Sequence, residues 1–219
     1  MEQVTEKARA KLNLTMEVLD RRPDGYHNIR SVMVFLDLWD RVTVEKAPAF
    51  SFRCSDPALD GPENLAVRAW EALRARYPAG PVSIRLTKRT PCQSGMGGGS
   101  ADAAAVLRGL NRLFQLGLSR EELCRVGRSL GADVPACVLE GGVLAEGIGE
   151  RVTPFSPGEL HFVVLKPGAS FSTPRMYARL DQTPGARPPG DHRAMAGGGA
   201  GRGGPGGAEP PSEHPSGGG

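Results

Sequence analysis

Residues 91–111 read PCQSGMGGGSADAAAVLRGLN, and this run constrains the chain more than any other. Gly95, Gly97, Gly98 and Gly99 put four glycines in five positions, after the alternating segment Val82–Thr87. A backbone without Cβ atoms can approach a ligand closely. From Ser100 on, Ala103, Val106, Leu107, Leu110, Leu113 and Phe114 recur at helical spacing. A helix starting there carries about half a positive charge and unsatisfied N–H donors at its N-terminus. Strand, glycine turn and helix together make an anion site suited to a nucleotide polyphosphate. Ser100 would either cap the helix or contact a magnesium ion. Alone, a glycine run reads equally as a flexible turn; the flanking strand and the Ser-x-Asp-Ala-Ala helix start weigh against that. No Gly-Lys-Ser/Thr comes after the glycines, so this is not a Walker A loop, and the spacing does not fit a dinucleotide fingerprint.

Around that run the apolar pattern alternates between strands and helices. Leu12, Leu14, Met16 and Val18 alternate with polar residues as a half-buried strand. RRPDGYH (21–27) supplies a turn. RSVMVFLDL (30–38) predicts a more continuous strand, and Val42 and Val44 after Trp39-Asp40 suggest a hairpin there. Phe50 and Phe52 predict a short strand. Ala66, Trp70, Leu73 and Tyr77 predict a helix over Glu63–Tyr77. Ser119 with Glu122 is a capping box that starts another helix, which Gly131 ends. Val143–Ala145 and Phe162–Leu165 read as strands, and no periodicity remains after Asp181. The predicted class is α/β: a mixed sheet with helices on one side, then the start of an incomplete second α/β domain.

Composition sets the character of the chain beyond residue 182. Residues 183–219 hold 13 Gly and 7 Pro among 37 residues, with no Val, Ile, Leu, Phe, Trp, Tyr or Cys. Such a stretch cannot bury enough apolar surface to offset the entropy of ordering it, and it reads as a disordered tail. Over the whole chain the net charge of +3 is too small to point to nucleic acid. No run of 18 apolar residues exists, so no membrane span is expected, and the N-terminus MEQVTEKARAKLNL lacks a secretory apolar segment. Cys54, Cys92, Cys124 and Cys137 lie 38, 32 and 13 residues apart, with no CxxC pair. They read as small buried hydrophobes in a reducing cytosol rather than a zinc or redox site.

Four features outside the glycine run carry chemical potential. Asp133 lies in GADVPAC, where the adjoining Val-Pro predicts extended backbone, and is a candidate general base on a substrate hydroxyl. Taken alone it is as readily a turn residue. Lys11 and Asn13 share the strand face opposite Leu12 and Leu14, open to phosphate or carboxylate, or simply to solvent. Tyr26-His27 after the Asp-Gly turn is a platform for stacking and hydrogen bonding a base, or a hairpin tip with no role. Tyr177, in FSTPRMY, is an isolated aromatic on a loop-like stretch.

AKLNL (10–14), PDGYH (23–27), TPCQSGMGGGSADAAAVL (90–107) and LGADVP (130–135) succeed one another in an order that resembles the GHMP kinases. ENLAVRA (63–69) and KPGASFSTPRMYARLD (166–181) look like further segments of that family. The glycine loop alone signals the superfamily. PDGYH with AKLNL and GADVP resembles the branch acting on a diphosphocytidyl methylerythritol in the non-mevalonate route to isoprenoid precursors. The resemblance implies a ribosomal protein S5 domain 2-like N-terminal domain over residues 1–155, the start of a C-terminal domain over 156–182, and the tail over 183–219. It implies ATP-dependent phosphorylation of the substrate's 2-hydroxyl, with Mg2+, a small-molecule substrate, a cytoplasmic setting and neither nucleic acid nor membrane as partner. Asp133 matches the catalytic aspartate and Lys11 the catalytic lysine. Pro91, Cys92, Gln93, Ser94, Gly95, Met96, Gly97, Gly98, Gly99, Ser100 and Ala101 match the phosphate loop, with Ser100 toward the metal. Asn64 and Lys88 match positions lining the adenosine pocket. Tyr26 and Tyr177 match two aromatics that sandwich cytosine, His27 the residue that reads its edge, and Asn13 and Thr173 further substrate contacts.

The sequence departs from the family in places. Ser100-Ala101 stands where a Ser-Ser is usual, so one hydroxyl is missing, and Ala101 is expected to weaken metal or phosphate contacts. Arg9 replaces a proline, and Gln93 and Met96 replace more typical loop residues. After Tyr177 the family pattern gives way to Gly, Pro, Ala and Arg, which reads as a frameshift or a wrongly placed gene end in a GC-rich genome. MAGGGAGRGG (195–204) echoes a glycine loop without a flanking strand or helix. Two other readings stand beside the kinase: a catalytically impaired fragment, and another GHMP small-molecule kinase, which Tyr26-His27 argues against. Arg187, Arg193 and Arg202 are too few, and lack aromatics, for an RNA-binding arm.

Overall fold

A long antiparallel hairpin organises the molecule. The computed structural model describes residues 2–168 and 173–183. β1 (Gln3–Arg21) runs against β2 (His27–Lys46), and the Pro-Asp-Gly turn closes them. Gly25, at φ +87°, permits that turn, and Arg22 N–H donates to the Tyr26 carbonyl at 2.7 Å. The far edge of β2 is shared by two partners. Arg41–Lys46 pairs antiparallel with β4 (Val82–Thr87), and Ile29–Val34 pairs antiparallel with β5 (Gly142–Gly147). β3 (Ser51–Cys54) lies parallel to β4, and β6 (Arg151–Phe155) antiparallel to β5.

Val42, Val44, Val82, Ile84 and Leu86 turn one face of this sheet into an apolar floor. The helices α1 (Leu65–Arg74), α2 (Gly98–Leu113), α3 (Arg120–Arg128) and α4 (Val134–Leu139) cover it. α2 is central and is buried along Ala101, Ala103, Ala104, Ala105, Val106, Leu107, Leu110 and Leu113. Its alanines bring it close to the sheet, and a Cβ on Gly109 would sit 3.2 Å from Val44 Cγ2. Each large side chain removed from water here contributes about 1.5–3 kcal/mol. α3 begins with the expected capping box, Ser119 accepting from Glu122 N–H and Glu122 from Ser119 N–H.

The structure corrects several expectations. No hairpin breaks at Trp39-Asp40; β2 runs through it. Asp40 points inward, fully buried, because charged and backbone donors receive it there. Trp39 faces outward among Lys7, Arg41 and Arg89. What the sequence marks as a break is an irregularity in β1–β2 pairing, where Arg9 pairs Trp39 and Lys11 pairs Phe35. Phe162–Leu165 is not a strand: residues 156–167 have no regular structure, and Val163 and Leu165 are 92% and 88% exposed. Alternation predicts a strand only where a neighbour pairs with it. The sequence pattern does not predict α4, β6 or a helix α5 (Thr173–Asp181), and Tyr177 therefore sits on a helix rather than a loop. Residues 184–219, with Arg187, Arg193, Arg202 and the glycine echo at 195–204, lie outside the described residues. Among the described residues no helix is long and apolar enough to cross a membrane.

Candidate active site

The glycine loop enters α2 through two left-handed residues, Gly95 at φ +75° and Gly97 at φ +66°. Gly97 is the N-cap and has no side chain to satisfy the first-turn amides. Ala101 N–H is already bonded to the Gly97 carbonyl at 2.9 Å, and the Ala101 methyl lies in the core. The amides of Gly98, Gly99 and Ser100 precede the first intrahelical bond and are the ones available to an anion. Pro91, Cys92 and Gln93 are exposed on the loop that leads in, and Met96 is buried beneath it. Gln93 itself takes φ +52°, and Ser94 Oγ accepts from Met96 N–H at 3.4 Å.

Two lysines press on this loop from opposite sides. A Cβ on Gly97 would lie 2.9 Å from Lys11 Cγ, and one on Gly98 would lie 3.3 Å from Lys88 Nζ. Lys11 is also tied through its backbone, its N–H donating to the Met96 carbonyl at 2.9 Å. The irregularity between Arg9 and Lys11 frees that N–H from the β1–β2 ladder. Lys11 Nζ stands 3.5 Å from Asp133 Oδ2 and donates to Asn13 Oδ1 at 3.2 Å. The side chain of Asp133 is 32% exposed, whereas that of Lys11 is nearly enclosed.

Asp133 is the N-cap of α4 and is helical (φ −81°, ψ −14°), not extended as the Val-Pro signal predicts. The proline's restriction falls on the residue just before it, Val134, and even there Pro135 is accepted because it occupies the first turn of a helix. The β5–β6 turn closes on the same carboxylate, a Cβ on Gly149 lying 3.8 Å from Asp133 Oδ1. Ser100 Oγ would be 4.0 Å from a Cβ on Gly131, which puts that hydroxyl on the side of α2 facing the Asp133 segment.

Lys88 has partners that sequence reasoning missed. Its Nζ donates to Asp40 Oδ2 at 2.5 Å and to Asp102 Oδ2 at 2.7 Å. Asp40 also accepts from the N–H groups of Arg89 and Thr90, which fastens the strand exit to β2. Burial works against the Lys88 charge, but the two carboxylates outweigh it and hold its pKa above the ordinary lysine value. Burial pushes Asp102 the other way, up to about 7, because one ammonium serves two carboxylates. The signal in the sequence is a charged residue inside an apolar strand and another inside an alanine-rich helix. Asn64 caps α1, accepting from Ala66 N–H at 2.9 Å, and a Cβ on Gly99 would lie 3.6 Å from Leu65, so α1 begins beside the loop.

At the other end, His27 is buried, its Nε2 2.8 Å from Asp181 Oδ1. The ring stacked on Tyr177 is that of His27, with centroids 4.9 Å apart, while Tyr26 is 61% exposed. Tyr177 also feels Asp133: burial, then the Asp133 charge, raises its phenol pKa. Thr173 begins α5, and its side chain is outside the described set.

Residues 64–141 match the family described as GHMP kinases N terminal domain. The chain is 43% identical over 202 residues to the 4-diphosphocytidyl-2-C-methyl-D-erythritol kinase of Moorella thermoacetica, covering 90% of this chain and 71% of that protein. It is 41% identical over 184 residues to the enzyme of the same name from Acetivibrio thermocellus, covering 82% and 65%. A crystal structure of 4-(cytidine 5'-diphospho)-2C-methyl-D-erythritol kinase superposes with a TM-score of 0.60 at 37% identity, over 72% of this chain and 61% of that one. The chain thus spans roughly two thirds of the length of these relatives.

Proposed function

The chain belongs to the 4-diphosphocytidyl-2-C-methyl-D-erythritol kinases within the GHMP family, and on that footing we propose that it moves the γ-phosphoryl group of ATP to the 2-hydroxyl of that cytidyl substrate. The observation that carries the reading is the Lys11–Asp133 pair at 3.5 Å, held against the open N-terminus of α2. Phosphoryl transfer asks a protein mainly for positioning and charge stabilisation. The amides of Gly98, Gly99 and Ser100 and the α2 dipole receive the phosphates. Asp133 accepts the hydroxyl proton as the substrate oxygen bonds to the γ-phosphorus and the bond to the β-phosphate oxygen breaks, releasing ADP. Lys11 holds Asp133 ionised and offsets charge growing on the transferred group.

Among the described residues no set of three His, Cys, Asp or Glu is arranged to hold a metal. Mg2+ keeps several waters and takes one or two protein oxygens besides phosphates. Ser100 Oγ and Asp133 are the oxygens this chain offers, and the ion would neutralise phosphate charge when bound. Asn64 at the start of α1 supports an adenosine position beside Gly99. Tyr26, His27 and Tyr177 support a cytidyl position, with Asn13 and Thr173 toward the sugar alcohol. The reducing cytoplasm suits the four unpaired cysteines.

Assay with ATP and the diphosphocytidyl substrate tests the proposal, and Asp133→Asn should lower turnover about 10²–10⁴-fold while nucleotide affinity stays. Full activity in that variant would remove Asp133 from the chemistry. Nucleotide binding without any wild-type turnover would favour the impaired-fragment reading, which the exposure of Leu14, Met16 and Leu19 on β1 supports.

A further inference from the structure

His27 opens β2, and one face of α5 grips it twice. The Tyr177 ring lies nearly parallel to the imidazole, 11° between planes. Asp181, four residues on and therefore on the same helix face, brings Oδ1 to 2.8 Å from Nε2. Asp181 is the last residue of α5, where the helix dipole prefers a cation. Across space it accepts from the imidazole N–H and faces Arg21, whose Nε is 3.9 Å from Oδ2. A residue set against local preference for the sake of a distant contact marks that contact as its purpose.

The chemistry depends on which ring nitrogen is engaged. An ionised carboxylate only accepts, so Nε2 carries the proton, and in the neutral ring Nδ1 is left as an acceptor. The ring is held to Asp181 through Nε2. A lone pair held beside a stacked aromatic plane complements a base edge bearing an exocyclic amino group. It opposes the keto oxygen that uracil presents at the same place. We infer that Asp181 is a positioning residue for base selectivity: by fixing the proton on Nε2 it makes His27 an acceptor and so selects cytidyl over uridyl ligands. The inference rests on the proposed reading of Tyr26, His27 and Tyr177 as the cytidyl end of the site.

Two measurements on the full chain test it. Two-bond proton–nitrogen spectra of the histidine-labelled protein at about pH 8, above the ordinary histidine range, should show His27 protonated at Nε2 alone. Asp181→Ala should then give mixed tautomers. Calorimetry with cytidine 5'-diphosphate and uridine 5'-diphosphate should show a wild-type preference for the cytidine ligand. That preference should fall about tenfold in Asp181→Ala, the size of one well-placed hydrogen bond, with ATP affinity unchanged. Asp181→Asn, whose amide oxygen still accepts from Nε2, should restore most of the preference. A wild-type ring protonated at Nδ1, or an unchanged preference in both Asp181 variants, overturns the inference alone. Failure of the wild type to bind cytidine 5'-diphosphate overturns it together with the reading beneath it.

Discussion

Lys11 and Lys88 flank the same glycine loop and are held by opposite means. Lys88 sits between two buried carboxylates at 2.5 and 2.7 Å. Lys11 has one carboxylate, farther away at 3.5 Å and a third exposed. The first arrangement locks an ammonium to β2 and to the first turns of α2, and its groups are almost wholly buried. The second leaves an acid with an oxygen that a ligand can touch, next to a cation that is not consumed by tight pairing. The contrast separates a device that fixes the loop from one fitted for proton transfer, although the residue types are the same.

Breaking each cluster should therefore damage different properties. Lys11→Met should reduce turnover about 10²–10³-fold and alter unfolding by no more than about 1 kcal/mol, as for other partly exposed pairs. Steady-state kinetics beside urea unfolding would show it, and a large stability loss would erase the distinction. Lys88→Met leaves two buried carboxylates without their cation and should cost about 3–5 kcal/mol in the same unfolding experiment. Gly97→Ala sharpens the comparison from the loop side. A side chain at φ +66° strains the backbone by about 1–3 kcal/mol and meets Lys11 Cγ at 2.9 Å. Its KM for ATP should rise, whereas Gly25→Ala, with open space around its Cβ, should leave that KM alone.

A further effect is expected on pH dependence. The Asp102 pKa in the folded chain stands at about 7, above its ordinary value of 3.8. Between those values the folded state binds the proton more tightly than the unfolded chain, so this group's contribution to stability declines as pH rises through that window. Above about pH 7 it declines no further. Unfolding of the wild type and of Asp102→Asn from acid to neutral pH should reveal this as a difference slope, with the wild type losing ground. Parallel curves would show that Asp102 is ionised throughout.

Much of the fold was legible because local signals agreed with tertiary ones. The turn at Pro23-Asp24-Gly25, the Ser119–Glu122 capping box, β4 and the buried face of α2 all obey short-range periodicity. The candidate site was legible where a motif carried it, and the fold brings Lys11, Asp133 and the glycine loop together. Asp40 was hidden because its donors come from residues about fifty positions away, and a charge inside an apolar run imitates a turn. α4 was hidden because six residues around a Val-Pro step show less than two full turns of pattern. Asp181 was hidden because its partner lies 154 residues back along the chain.

α2 is at once the proposed seat for the phosphates and a deeply embedded helix of the domain. An anion bound at its first turn engages the element on which the whole apolar interior is assembled. Nucleotide should thus behave as a folding ligand, adding about 2.7 kcal/mol at a hundred times its dissociation constant. The same embedding ties any shift of α2 to the packing of the whole interior.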